Sequence, residues 1–242
     1  MFFSFMLIIF SFLSIKTTGF GDDSDVVFRR TELLRRSWLE KDFYIRNRLA
    51  HAESLQKAFR LNHVEGGTVL LSAPHALKHL REGRIKGADI NTGVLALLLS
   101  EKTRNPVIYA TRIATDPNYY DELPYKKALF QYLSENPQIK LVLDLHGAAA
   151  HREFAVDLGT LYGHSCPAEM INRIEAILAA AGIKPVSHNF FSAAGQNTVT
   201  KYVHEQFPQV CVVQVEINYH FRHGEGLEKI MPALMEIIQK IR

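Results

Sequence analysis

The sequence predicts an α/β fold: a three-layer α/β/α sandwich around a mixed, largely parallel central sheet. Three observations predict it. Beyond about residue 64, apolar runs of strand length alternate with stretches of helical periodicity. Two of those apolar runs end in a histidine, as expected where strands deliver polar groups to one sheet edge. The chain has 242 residues and 47% hydrophobic content, enough to bury one sizeable α/β core without a second domain.

The first segment is set apart from that fold. Met1 to Ile15 carries no charged side chain, and the first charge is Lys16. The run is shorter than the ~20 residues of a spanning helix and has the length of a signal-peptide hydrophobic region, without its basic start. Residues 1–21 therefore read as an export signal, an uncleaved membrane anchor or a misassigned start. Residues 22–242 read as a single α/β domain. An export signal or anchor implies a periplasmic, exported or membrane-associated protein that meets the membrane only through this segment. Without one, the protein is cytoplasmic.

Thr31 to Leu61 has helical spacing at Leu33, Leu34, Trp38 and Leu39, and again at Leu55 and Phe59. Asn62-His63 and Gly66-Gly67 end this helical region at about residue 64. Strands are then expected at 68–73, 107–110, 141–145, 155–161, 185–188 and 211–217. Helices are expected at 92–102, 125–136, 167–181, 197–207 and 225–242. Pro167 suits a first helical turn, Gly182 a helix C-terminus, and Pro232 should kink or restart the last helix.

Composition removes some functions. The net charge is +3, and no basic block is longer than Arg29-Arg30 or Arg35-Arg36, so nucleic-acid binding is unsupported. Two cysteines, Cys166 and Cys211, are too few for a disulfide scaffold. Cys211 lies in an apolar strand and reads as a buried thiol, with pairing to Cys166 open but not indicated.

The chemistry concentrates at strand ends. In KLVLDLHGAA, Asp144 and His146 share a strand face, so Asp144 is placed to orient the His146 ring. In GGTVLLSAPHA, Pro74 marks the strand's exit and His75 stands at the mouth of the loop Ala76–Gly87. Glu216 sits near the end of VCVVQVEIN, where a carboxylate is costly unless paired or near a metal. It reads either as an ion-pair partner of Arg112 or Arg222, or as a general base for a metal-bound water. Two histidines and a carboxylate are a common catalytic zinc set. The third ligand is Asp89, which is also a good N-cap, or His79, which would share a helical face with His75. Asp116-Pro117-Asn118 is strong turn chemistry.

The order of PHA, GAD, TRIATDPN, DLHG, VDLGT and VEINYHF, from about Val69 to Phe221, resembles the N-formylglutamate amidohydrolase family. The resemblance implies a fold similar to zinc carboxypeptidases and aspartoacylase-type deacylases. It implies a zinc-dependent hydrolase of an N-formyl or N-acyl amino acid, with His75, Asp89 and His146 as ligands. Glu216 is then the base, Arg112 an oxyanion or carboxylate clamp, and Asp116 and Asn118 substrate-binding residues. His164 and the loop Ser192–Asn197 would serve as walls. The chain departs from the pattern at Lys78, where zinc carboxypeptidases carry a glutamate, and at Tyr119, often arginine in the family. Two alternatives are an exported zinc carboxypeptidase or amidase acting on peptides or cell-wall fragments, and a non-catalytic binding protein on the same fold.

Overall fold

A computed structural model describes residues 58–240. The apolar leader and most of the helical region to about residue 64 lie outside the described residues.

Nine strands and five α-helices are present among the described residues. The strands are β1 (Phe59–Asn62), β2 (Val69–Ala73), β3 (His79–Arg81), β4 (Arg84–Lys86), β5 (Val107–Ala110), β6 (Leu141–Ala148), β7 (Val156–Gly159), β8 (Val186–His188) and β9 (Cys211–Asn218). The helices are α1 (Thr92–Thr103), α2 (Pro124–Glu135), α3 (Ala168–Ala180), α4 (Val199–Gln206) and α5 (Gly224–Lys240).

Seven strands form one sheet in the order β1-β5-β2-β6-β9-β7-β8. Its centre, β5, β2, β6 and β9, is parallel, while β1 and β7 join antiparallel to β5 and β9, and β8 runs parallel to β7. Central parallel strands are buried on both faces, which explains their unbroken Val/Leu/Ile runs.

The two faces of the sheet differ. On one, Leu141, Leu143 and Leu145 of β6 pack with Val69 and Leu71 of β2 and Val213, Val215 and Ile217 of β9. Helices α1, α3 and α5 cover them, through Leu95, Leu99, Ile174, Leu178, Ile230 and Leu234 among others. The opposite face is apolar only near the strand starts, where Leu70, Val142 and Val212 meet Leu129 and Leu133 of α2 and Val199 and Val203 of α4. Toward the strand ends it carries Ser72, Asp144, His146, Gln214 and Glu216 instead. Period-two alternation puts these residues on the same face as Leu70, Val142 and Val212.

Several expectations need correction. Phe59–Asn62 is not the end of a helix. Phe59 and Leu61 alternate with Arg60 and Asn62, and the segment pairs with β5. The loop 76–87 contains the β3–β4 hairpin, which turns through the left-handed backbones of Glu82 (φ 52°) and Gly83 (φ 71°). His79 therefore lies on a strand, not one helical turn beyond His75. Cys166 and Cys211 form a disulfide between the loop before α3 and the start of β9, rather than leaving a buried thiol. Pro232 lies inside the uninterrupted helix α5. An interior proline costs about 3 kcal/mol, offset there by a buried stripe that includes Leu227, Ile230, Leu234, Ile237 and Ile238. Pro167 sits at the N-cap of α3, one position earlier than expected, and Gly182 (φ 73°) follows its C-cap Ala181.

Candidate active site

β2 ends at Ala73, and Pro74 releases the chain so that His75 stands just outside the sheet. His75 is held from behind: its Nε2 lies 2.7 Å from Asp116 Oδ1. Asp116 is fully buried and is fixed by Arg81, whose Nε and Nη2 reach its Oδ2 at 2.7 and 2.6 Å. Burial opposes a charge on Asp116, but His75, His79 and Arg81 outweigh it and hold the carboxyl well below the usual range. The ionised carboxylate only accepts, so His75 Nε2 carries the hydrogen.

His146 comes from β6, beside β2. Its Nε2 stands 3.1 Å from Asn118 Nδ2 and 3.4 Å from Asp144 Oδ2. Asn118 is pinned by Val199 N, which donates to its Oδ1 at 2.8 Å. Asp144, fully buried, accepts from Ser72 Oγ at 2.7 Å and from Thr200 Oγ1 at 3.2 Å. Strand β2, the loop after β5 and helix α4 thus fix one ring.

The Nδ1 atoms of both rings face a single carboxylate oxygen. Asp89 Oδ2 is 3.0 Å from His146 Nδ1 and 3.5 Å from His75 Nδ1. One ligating atom from each of the three residues lies within 4.8 Å of the other two. Asp89 does not cap α1: Asn91 takes the N-cap position, without a side-chain capping bond, and Thr92 donates to the backbone carbonyl of Asp89. Burial opposes a charge on Asp89 too, yet the hydrogen bonds from His146 and His75 hold it well below the usual range. The converse holds for the rings. Burial favours neutral imidazole, but Asp116 and Asp89 raise His75, and Asp144 and Asp89 raise His146 well above its ordinary value.

These donors suit a cation. With a hydrogen on Nε2, neutral His75 would turn the Nδ1 lone pair toward an anionic oxygen. Two acceptors facing each other require a proton or a metal ion between them. Ligands of one tetrahedral zinc, each ~2.0–2.1 Å from it, stand about 3.3 Å apart, close to the spacings here. Carboxylate partners behind ligating histidines are the usual supporting arrangement.

His79 belongs to a second group. Its ring stacks on His75, with centroids 3.9 Å apart, and its Nε2 is 3.5 Å from Asp116 Oδ2. His75, His79 and Asp116 also have ligand atoms within 4.8 Å of one another. Here, however, the carboxylate is already paired with Arg81. Burial and the neighbouring His75 charge lower His79 to about 4, leaving it neutral near pH 7.

Glu216 is the register partner of His146 on the adjacent strand β9. Burial pushes its carboxyl up to about 7, with His146 pulling the other way. It accepts from Gln214 Nε2 at 3.1 Å and, among the described residues, forms no ion pair with Arg112 or Arg222. Arg222 is buried instead against three backbone carbonyls, those of Ile217 (2.8 Å), Ala148 (3.0 Å) and Ile90. They follow Glu216, His146 and Asp89 by one, two and one residues. Gly147 makes room for this guanidinium: a Cβ there would lie 2.6 Å from Arg222 Cζ.

The remaining predicted residues are dispersed. Arg112 is exposed and lines a shallow cleft with Phe59, Lys78, His79 and Tyr125, making no hydrogen bond or ion pair to the three donors. Asp116 and Asn118 hold the histidines from behind. His164 lies at the opposite sheet edge, lining a cavity of about 390 Å³ with Lys140 and Pro208. The loop 192–197 does lie beside the site: Asn197 Nδ2 contacts the Tyr119 carbonyl at 3.4 Å, and its own carbonyl accepts from the buried Lys126. Sequence reasoning missed Ser72, Arg81 and Thr200, and it treated Arg222 only as an ion-pair partner. Ser72 had a readable signal, a hydroxyl three residues before the strand-end histidine on an otherwise apolar strand.

The strand-end site stands on a mixed α/β fold that solved structures share. Among solved structures, the chain is similar to N-formylglutamate amidohydrolase from Ralstonia eutropha JMP134, with a TM-score of 0.60 and 15% identity over 76% of this chain and 97% of that one. It is also similar to a gene product of Agrobacterium tumefaciens (TM-score 0.58, 18% identity, 79% and 97% covered) and to a bacteriophage poly-gamma-glutamate hydrolase (TM-score 0.51, 16% identity, 76% and 89% covered). No protein-family model and no curated protein sequence matches the chain. At these identities the likeness establishes the fold.

Proposed function

We propose that the protein is a zinc-dependent amidohydrolase that cleaves the amide bond of an N-formyl or N-acyl amino acid. The observation that carries this reading is the convergence of His75, Asp89 and His146, with Glu216 next to His146 on the same sheet face. Two solved structures of similar fold are named as hydrolases, an N-formylglutamate amidohydrolase and a poly-gamma-glutamate hydrolase, which supports this reading.

His75, Asp89 and His146 would hold the ion. When bound, a zinc ion polarises the scissile carbonyl and makes a water nucleophilic near neutral pH. The chain's own residues supply the rest. Asp116 and Asp144 keep the Nε2 edges of the two rings turned away, leaving both Nδ1 atoms facing Asp89 Oδ2, the group with which they would hold the ion. Glu216, at about 7, takes a proton from water and returns it to the leaving amine. Asn118 and Val199 tie the loop after β5 to α4 behind His146.

The Cys166–Cys211 disulfide favours a second reading of the substrate. Disulfides persist in oxidising compartments, and together with the apolar leader this supports export. An exported enzyme would meet peptides or cell-wall fragments. Hydrolysis of N-formyl amino acids, N-acetyl amino acids and short peptides by one preparation separates the two.

Two substitutions test the roles. His146→Ala should lose bound zinc and hydrolysis together. Glu216→Gln should keep zinc while turnover falls ~10²–10⁴-fold, the worth of a positioned acid or base. Zinc loss from Glu216→Gln would make Glu216 a ligand, and full activity would place the base elsewhere.

A further inference from the structure

The Cys166–Cys211 disulfide takes no part in the chemistry above and stands at the other end of the strands. Cys211 begins β9 and pairs with Leu141, the first residue of β6. It precedes Glu216 by five residues of extended chain, roughly 17 Å. Cys166 comes from the loop that leads from β7 into α3. Both residues are nearly buried, at 3% and 6% exposure, yet both stand in the wall of the cavity of about 390 Å³ at this end of the sheet. A reagent can reach such buried sulfurs through that cavity, whose volume is that of a small-molecule pocket.

The loop does not depend on the bridge to stay in place. Ser165, the residue before Cys166, is buried and bonds twice to Val212, the residue after Cys211. Val212 N donates to the Ser165 carbonyl at 2.9 Å, and Ser165 Oγ donates to the Val212 carbonyl at 2.7 Å. On the β6 side, Cys211 N donates to the Lys140 carbonyl at 3.0 Å. Opening the bridge therefore leaves the two sulfurs neighbours, placed to close again. The cavity also has a sign. Lys140 and His164 line it together with Gln209 and Met170, and among the described residues none in its wall carries a carboxylate. Glu169, in the first turn of α3, is exposed and lies outside that wall.

We propose that Cys166–Cys211 is a thiol-exchange site, at which a small anionic thiol enters the cavity and forms a mixed disulfide with Cys211. The incoming thiolate attacks Cys211 Sγ. A sulfur–sulfur bond forms there as the Cys166–Cys211 bond breaks, and the electron pair leaves on Cys166 as a thiolate. Cys166 is the better leaving group because it directly precedes Pro167, the N-cap of α3, and the positive end of a helix favours a thiolate. The thiol itself is the only co-reactant. Cys166 returns to Cys211 and expels it, or a second thiol carries the first away as their own disulfide and leaves two reduced cysteines. The site is independent of the hydrolase reading.

The test exposes the full chain, its disulfide intact, to mercaptoethanesulfonate or to cysteamine at low salt and without denaturant. Free thiols are trapped with iodoacetamide, and the products are mapped by mass spectrometry. Each rate is divided by that of the same thiol on bis(hydroxyethyl) disulfide, which is neutral and removes the intrinsic reactivity of the thiol. The anionic thiol should then be favoured by roughly tenfold, the size of a charge contact near a protein surface. Its adduct should sit on Cys211, with the trapping group on Cys166. Lys140→Gln, a change at an exposed side chain, should bring the two thiols within about threefold of each other. Exchange should also keep its rate within about twofold on adding about 1 M urea, because the folded chain is what reacts. A disulfide that stays closed in the folded protein overturns the site, as does an adduct on Cys166. A preference for the anionic thiol below about threefold, or one that survives Lys140→Gln, overturns it too. So does a steeper acceleration by urea, which marks exchange through the unfolded chain.

Discussion

The two faces of the central sheet are built from the same strands to opposite ends. One face is apolar along the whole length of β6 and β9, through Leu141, Leu143, Leu145, Val213, Val215 and Ile217. The other changes character halfway: Val142 and Val212 lie in a small core, while Asp144, His146, Gln214 and Glu216 continue the same rows as polar groups. The first face carries stability. The second gives up half its apolar burial to hold four ionisable or amide side chains, each of which needs named partners. A site of this kind depends on the other face to remain folded.

Substitutions at neighbouring positions of β6 are the way to break that division of labour. Leu143→Ala, on the fully apolar face, should lose about 2–5 kcal/mol of stability in denaturant unfolding, as other large-to-small core changes do. Zinc affinity should stay within twofold. A large loss of zinc binding would show that the faces are mechanically coupled. Asp144→Asn, one residue on, should reverse the pattern: zinc binding weakened ~10–100-fold in a competition titration, as for other partners of ligating histidines. Its stability loss should be no more than about 1–2 kcal/mol, because one of the Ser72 and Thr200 hydroxyls keeps an oxygen to donate to and the other can turn to accept from the new amide.

The smallest effect sharpens the comparison through pH. The carboxyl of Glu216 lies at about 7 in the folded chain against 4.5 ordinarily, so the folded state holds that proton more tightly than the unfolded one. Its contribution to stability is complete below pH 4.5 and is lost as pH rises through 7. Glu216→Gln has no proton to lose. In protein stripped of metal by a chelator, the variant should match the wild type near pH 4 and exceed it by about 1–2 kcal/mol at pH 8. An equal difference at both pH values would mean that the side chain is not buried in its charged state.

Much of this was readable in the chain, and the misses have a common cause. Strand and helix periodicities located the central elements within a few residues, because β2, β6 and β9 are long apolar runs bounded by Pro and Gly. The strand-end residues His75, His146 and Glu216 stood out because polar groups are costly there. Most short, half-exposed elements were lost, although β8 was expected at 185–188. β1 alternates over only Phe59–Asn62, and β3 and β4 each have three residues, too few for a period to register. The partnership of Arg81 with Asp116 was invisible for the same reason, since it depends on a hairpin that sequence reading took for a loop or a helical turn. The disulfide joins positions 45 residues apart, and no local pattern records such a distance.

Arg222 grips the ends of three site-bearing segments through main-chain oxygens, those of Ile90, Ala148 and Ile217. Such a clasp places almost no demand on which amino acids sit at the gripped positions. Only the arginine and the glycine beneath it are constrained, so the surrounding chain is free to drift in composition while the three functional groups keep their spacing.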